Sequence, residues 1–229
     1  MNASMDRIRE EFDRIALLTE QHGSHKAGDT YQDHLMQYVP PRPENALEIG
    51  CGSGGFTRLL AARASSVFAL DLSPEMIRLA KAHSAGYQNI EYQIGDLMQI
   101  SLPAATFDCI VSIATLHHLP LEQALLKMKD ALNPDGVLII HDLVADDGIL
   151  DIGISALAYS ISAAKRFWET GRMRTPRAVR DAWEEHGRGE VYLTMAKARE
   201  MCRQYLPEAL IKRHLFWRYT VVWTKRTIE

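Results

Sequence analysis

Three acids and a run of glycines carry the chemistry legible in this sequence. Glu48-Ile49-Gly50-Cys51-Gly52-Ser53-Gly54-Gly55 stands between a short apolar run, ALEIG, and a helical pattern, GGFTRLLAARA. Gly50, Gly52 and Gly55 match GxGxxG, the turn that lets backbone approach a ligand closely and that cradles a pyrophosphate in dinucleotide enzymes. Glu48 weighs against that ligand. A carboxylate at the strand end opposes pyrophosphate and favours a molecule carrying ammonium and sulfonium charges. Asp71 closes the next apolar run, 23 residues after Glu48, where a carboxylate takes the two hydroxyls of a ribose. Its structural alternative is to cap the helix beginning at Pro74, a role that Ser73 can fill instead. Gly95-Asp96 follows the third run, where a short acid either accepts from an adenine amino group or closes a turn. All three acids fall where the carboxyl ends of parallel strands form a ligand crevice.

The elements needed to hold these residues are present in order. ALEIG, SVFALD, NIEYQIG, TFDCIVSIA and GVLIIHDL read as strands; GGFTRLLAARA, PEMIRLAKAHS and EQALLKMKDAL read as the helices between them. The last of these helices is expected to be capped by Asn133-Pro134-Asp135-Gly136. Unbroken Val, Ile and Leu runs suit strands buried on both faces, so the fold class is α/β, a doubly wound Rossmann-like sheet. Ahead of it, Ile8, Phe12, Ile15 and Leu18 recur at helical spacing from Asp6 to Leu18. A second short helix is expected over Tyr31 to Tyr38, stopped by Pro40-Pro41-Arg42-Pro43. After the core, MAKAREMCRQYL reads as a helix, and ALIKRHLFWRYTVVWTKR as two β-rich runs meeting near Trp217-Arg218, a junction without Gly, Asn or Pro.

Composition bounds the function classes. The chain has 229 residues, 47% of them apolar and 24% charged, which fits one ordinary globular domain rather than a disordered chain. Lys plus Arg is 26 against 29 acids, a net charge of −3, so no basic field exists to hold nucleic acid. Cys51, Cys109 and Cys202 lie far apart without a CxxC pair and read as reduced thiols of a cytoplasmic protein. The first residues lack a long apolar core, so neither a signal peptide nor a membrane anchor is expected.

ExGCGSGG, LDLSPEM, GD, FDCIVSIATLHHL and LNPDGVLIIHD, in that order from about Leu47 to Asp142, resemble the class I S-adenosylmethionine-dependent methyltransferases. The similarity is greatest to the small-molecule, quinone-biosynthesis-like branch. The resemblance implies S-adenosyl-L-methionine as cofactor, a mostly parallel sheet with an antiparallel final strand, and methylation of an O, N or C atom of a small organic acceptor. It implies that Glu48, Gly50, Cys51, Gly52 and Gly54 line the methionine half and that Asp71 binds ribose. Leu72 and Met76 would then flank adenine, Asp96 and Leu97 meet its edge, and Ile113 with Ala114 close the floor. The N-terminal helices, including Tyr31, resemble the family's cover over the cofactor. Residues 1–40 are thus read as cover, 44–142 as cofactor core, 143–192 as a helical insertion over the site, and 193–229 as the last helix and strands of the same single domain.

Methyl transfer from a sulfonium asks mainly for proximity and alignment. An amine or thiolate needs no base, whereas a hydroxyl acceptor needs one near its working pH, for which histidine is suited. His117 and His118 after the fourth strand and His141 at the end of the fifth are the catalytic candidates, with His186 in the insertion expected as a surface histidine. The insertion offers a possible aromatic wall, Ile149 to Ile161 with Tyr159, Phe167, Trp168 and Trp183. It also offers a basic set, Lys165, Arg166, Arg172, Arg174, Arg177 and Arg180, expected as a solvated face. Asp146-Asp147 lack a third ligand, and no metal is expected. The rival readings are a homologue that uses the cofactor structurally or for another reaction, and a nicotinamide oxidoreductase. The expected partner is the small-molecule acceptor alone, with neither nucleic acid nor membrane, in a monomer or homodimer.

Overall fold

A computed structural model describes residues 3–22, 31–145, 176–214 and 217–226. Helix α1 (Ala3–Gln21) and the short α2 (Gln32–Met36) precede β1 (Asn45–Ile49), α3 (Gly55–Ala61), β2 (Ser66–Asp71), α4 (Pro74–His83), β3 (Ile90–Ile94) and β4 (Phe107–Ile113). A 3₁₀ turn (Leu116–His118), α5 (Leu121–Ala131) and β5 (Leu132–Leu143) follow, then α6 (Arg177–Arg188), α7 (Met195–Tyr205), β6 (Leu210–His214) and β7 (Arg218–Thr224). The strands form one seven-stranded sheet in the order β3-β2-β1-β4-β5-β7-β6. β1 to β5 pair in parallel, and β7 runs antiparallel to both β5 and β6. This is the doubly wound sheet that the alternating runs predict, and the order reverses between β1 and β4, where such sheets open their crevice.

Both faces of the inner strands β1, β4 and the body of β5 are buried, which is why they read as continuous apolar runs, whereas the edge strands β3 and β6 are partly exposed. Leu47, Ile49, Ile110, Leu138 and Ile140 pack with Leu125 and Met128 of α5 and Met201 and Cys202 of α7. On the opposite face Ala46, Val67, Cys109, Val111 and Ile139 pack with Leu35, Phe56 and Leu60. Each such Leu or Ile contributes roughly 1.5–3 kcal/mol by leaving water. The two-residue alternation also sets the site, because Glu48 falls between Leu47 and Ile49 and therefore faces α3.

One departure from the sequence expectation has a local cause. Asn133-Pro134-Asp135-Gly136 does not cap α5; β5 starts at Leu132 and absorbs these residues as a bulge. Phe107 pairs with Leu132 but Cys109 with Val137, and Asp135 takes a φ of +62° while its N–H donates to the Lys225 carbonyl at 2.7 Å. A bulge is where a strand tolerates a proline without an N–H. The β6–β7 hairpin does form, with Trp217 rather than a glycine supplying the left-handed residue, at φ +54°.

Just beyond β5 an isolated bridge joins two distant segments. Val144 pairs with Leu193, whose carbonyl accepts the Ala145 N–H at 2.9 Å. Between these points α6 lies on α1, with Ala182 packed among Ile15, Ala16, Met76 and Leu79. Its Arg177 and Arg180 pair with Asp181 and Glu184 on an exposed face, as expected of a solvated stripe. Ile149 to Ile161 with Tyr159, Phe167, Trp168, Lys165, Arg166, Arg172, Arg174 and Asp146-Asp147 lie outside the described residues. No helix among the described residues is long and apolar enough to cross a membrane.

Candidate active site

The glycine turn crosses from β1 toward the end of β2. The N–H groups of Gly50 and Cys51 both donate to the Leu70 carbonyl, at 2.8 and 3.0 Å. Two glycines are needed here for different reasons. Gly50, at φ +73°, lies so close to Thr115 that a Cβ would stand 1.9 Å from its Oγ1. Gly52, at φ +51°, has nothing within 4 Å of where a Cβ would be. Gly50 is thus a packing glycine that ties the turn to the segment after β4, whereas Gly52 faces open space.

Glu48 is 2% exposed and accepts the Thr57 hydroxyl of α3 at 2.5 Å. Burial pushes its carboxyl up to about 8, against the opposing pull of that hydrogen bond. A buried acid of this kind is stabilised as a carboxylate by an arriving cation. Asp71 accepts the Gly52 N–H at 2.7 Å on one oxygen and the Ser73 N–H at 2.9 Å on the other. Burial raises it to about 6, offset in part by the Ser73 and Gly52 amides. Each carboxylate oxygen has a second lone pair, so Asp71 keeps capacity for two hydroxyl donors while holding the turn. The capping role passes to Ser73, whose Oγ accepts the Met76 N–H at 3.0 Å and donates to Asp13 of α1 at 2.5 Å.

The remaining expected contacts are spread along the crevice and into the core. Leu72 is half-buried beside Asp71, and Met76 is buried in the seam between α4 and α1. Asp96 accepts the Met98 N–H at 2.8 Å and the Gln99 amide at 3.1 Å, which is the turn-closing arrangement. Leu97 is buried in the main core. Ile113 and Ala114 are half-buried at the end of β4; Ala114 has φ +51° and donates to the His141 carbonyl at 2.7 Å. Cys51 is buried with Ala69 and Ile77, and its thiol is raised well above the usual range by burial. Gly54 caps α3 in the left-handed conformation. α2 reaches the start of α3, with Gln32 Nε2 3.2 Å from where a Gly55 Cβ would lie. Tyr31, just before it, sets its ring 5.0 Å from that of His141 and 4.9 Å from that of His214.

The histidines divide into two groups. His141 is wholly buried, with Nδ1 2.9 Å from Thr220 Oγ1, the hydroxyl that also meets His214 Nε2 at 2.8 Å. His117, His118 and His186 come together instead, one ring nitrogen of each lying within 4.8 Å of the others. Nδ1 of His117 is 2.6 Å from Asp142 Oδ1, whose second oxygen accepts the His117 backbone N–H at 2.9 Å. Nδ1 of His186 is 2.7 Å from Glu11 Oε2. In the tautomer that donates from Nδ1 to its carboxylate, each of these rings carries its lone pair on Nε2. His118 Nδ1 comes within 3.0 Å of Glu190, but out of line, and neither ring nitrogen has a hydrogen-bond partner among the described residues. Burial, then the neighbouring imidazoles of His117 and His186, push its pKa down to about 3, which keeps it neutral. Phe12, Trp183 and Tyr192 wall the group, with Phe12 4.8 Å from His186 and Tyr192 5.1 Å from His117.

Sequence reasoning placed His186 on the surface, but it is 5% exposed, because α6 turns that face onto Phe12 of α1. Asp13, Glu11, Asp142, Thr57 and Thr115 were missed altogether. An acid inside the apolar stripe of α1, as in EEFDRI, was the one available signal for Glu11 and Asp13.

A family model described as a methyltransferase domain matches residues 47–140, from the strand of Glu48 to that of His141. An uncharacterized methyltransferase of Mycobacterium tuberculosis (strain ATCC 25618 / H37Rv) is 29% identical over 196 residues, 84% of this chain and 93% of that protein. A ubiquinone biosynthesis O-methyltransferase of Xylella fastidiosa (strain 9a5c) is 29% identical over 160 residues, covering 62% of this chain and 65% of the other. Among solved structures, a SAM-dependent methyltransferase of Aquifex aeolicus shares the fold with a TM-score of 0.57 and 18% identity, over 87% of this chain and 95% of that one.

Proposed function

We propose that this chain, which is similar to a methyltransferase domain over residues 47–140, is a class I S-adenosylmethionine-dependent methyltransferase whose acceptor is a hydroxyl on a small organic molecule. The observation that carries the reading is the His117–Asp142 pair, two residues beyond the Thr115 that packs on Gly50. It joins the glycine turn to an imidazole whose tautomer a carboxylate holds, inside an aromatic wall and without a basic surface field. A relative named for O-methylation in ubiquinone biosynthesis supports the same acceptor type.

In this reading S-adenosylmethionine supplies a methyl group on a sulfonium, and the chain supplies position and proton handling. Glu48 holds the ammonium group of the methionine half. Gly50, Cys51, Gly52 and Gly54 bring the backbone against it, Gly52 from the open side of the turn. Asp71 accepts the ribose hydroxyls while its amide partners keep the turn closed. Leu72 and Met76 flank the adenine, Asp96 and Leu97 meet its edge, Ile113 and Ala114 form the floor, and Tyr31 belongs to the cover. The acceptor hydroxyl gives up its proton at the His117–His118 end of the histidine group. His141, bonded to Thr220 and fully buried, has a positioning role at the base of the cover instead. Three buried free thiols, Cys51, Cys109 and Cys202, fit work in the reducing cytoplasm.

The test is a screen with S-adenosylmethionine labelled in the methyl group, against phenols, catechols, aliphatic alcohols, amines and carboxylic acids, read by mass spectrometry. Label on a phenol or alcohol oxygen is expected. Label confined to amines or carbon, or found only on a carrier protein, overturns the acceptor assignment.

A further inference from the structure

We propose that His117, His118 and His186 form a three-histidine site for a divalent transition metal of the zinc type, closing α1 and α6 over the end of β4. The sequence predicts no metal, since Asp146-Asp147 lack a third ligand and nothing in the spacing joins His186 to the His117-His118 pair. The fold brings them together and leaves one ring nitrogen of each within 4.8 Å of the others. Tetrahedral geometry with bonds of about 2.1 Å needs about 3.4 Å between ligand atoms, a closure within reach of side-chain rotation.

Two further observations point to a metal rather than to packing alone. Metal-bound imidazoles characteristically donate their other N–H to a carboxylate, which fixes the tautomer and raises ligand basicity. His117 and His186 each have such a partner, Asp142 at 2.6 Å and Glu11 at 2.7 Å, on different elements. The third ring, His118, is 5% exposed in its side chain, yet neither nitrogen is hydrogen-bonded among the described residues. Glu190 lies 3.0 Å from its Nδ1 but out of line, and burying an imidazole without a hydrogen bond costs free energy that a bond from a lone pair to a metal removes. An all-nitrogen donor set selects zinc, cobalt, nickel or copper over magnesium and calcium, which take oxygen. Three protein ligands leave a fourth position for water or an anionic oxygen.

That the open position takes the acceptor oxygen rests on the hydroxyl reading above; metal binding itself does not. There a bound metal would take over the proton handling given above to a free imidazole: it would lower the hydroxyl pKa so that the proton leaves to solvent, and the oxygen lone pair would form the bond to the methyl carbon. The C–S bond pair goes to sulfur, and the metal keeps its oxidation state.

The experiment is titration of untagged, chelator-treated protein with cobalt(II), followed by its visible absorption, and with zinc(II), followed by calorimetry. Elemental analysis of the protein as purified accompanies both. One equivalent of tightly bound metal is expected, with an intense cobalt band of four- or five-coordinate geometry. His118→Ala should abolish it, and Glu11→Gln, which keeps the fold, should weaken binding roughly 10- to 100-fold. S-adenosylhomocysteine affinity is measured on every variant as a fold control and should not change. Folded wild-type protein that binds S-adenosylhomocysteine but no stoichiometric metal overturns the proposal. Metal binding that survives His118→Ala and Glu11→Gln also overturns it, by placing the ion elsewhere. If the metal binds as expected and no hydroxyl is methylated, the site stands and only the acceptor reading falls.

Discussion

Replacing Glu48 by Gln should make the protein more stable and worse at its work. The carboxyl is buried and its pKa stands near 8 in the fold, against 4.5 for an ordinary glutamate. A raised carboxyl pKa means that the folded state binds the proton more tightly than the unfolded chain. The stability it affords is therefore complete below about pH 4.5 and drains away as pH rises toward 8. Each pH unit inside that window costs about 1.4 kcal/mol, so at pH 7 the acid burdens the unliganded fold by up to about 3 kcal/mol. Gln keeps the volume and still accepts the Thr57 hydroxyl, but carries no proton to lose. The variant should melt roughly 6–12 °C above wild type at pH 7, and by little at pH 5. Binding should move the other way. Loss of a charge-assisted contact to the ammonium group is expected to weaken S-adenosylhomocysteine about 10- to 100-fold. In wild type at pH 7, binding that ionises Glu48 should release close to one proton, seen by calorimetry in buffers of different ionisation enthalpy, and the Gln variant should release none. Equal melting shifts at pH 5 and 7, or full affinity in Glu48→Gln, would refute the buried-acid reasoning.

Other substitutions separate the parts of the crevice. Asp71→Ala should lower S-adenosylhomocysteine affinity at least about tenfold, since it removes both hydroxyl acceptors and the anchor of the Gly52 amide; unchanged calorimetric affinity in a folded variant would remove Asp71 from the ribose role. Gly50→Ala should fail to fold, because its Cβ would meet Thr115 at 1.9 Å. Gly52→Ala, with open space around the new carbon, should fold at a cost of about 1–2 kcal/mol yet lose cofactor binding, as circular dichroism and calorimetry on the pair will tell. Asp142→Asn should lower kcat with a hydroxyl acceptor at unchanged cofactor affinity, because it releases the His117 tautomer; equal losses in both would mark Asp142 as structural.

The sheet was legible because its signal is local. Apolar runs such as ALEIG and SVFALD, with turn residues between them, specify buried parallel strands by period alone, and the acids at their ends follow from topology. The bulge at Asn133 to Gly136 was misread because Pro-Asp-Gly marks a turn wherever it occurs, and only pairing with β4 shows that this turn lies inside a strand. The histidine group was illegible for a stronger reason. His117-His118 and His186 are joined by the packing of α6 on α1, and that contact depends on Phe12, Ile15 and Ala182, whose pattern announces an apolar face but not its partner. Glu11 and Asp13 share α1 with six other charged residues, and nothing in their spacing shows that these two turn inward.

Calorimetric titration of the wild-type protein with S-adenosylmethionine and S-adenosylhomocysteine, with NADH as control, tests the central claim most directly. Micromolar binding of both sulfur ligands, one per chain, with no heat from NADH, is the predicted result. Binding of NADH with neither sulfur ligand bound would contradict it, and would assign the glycine turn to a pyrophosphate after all.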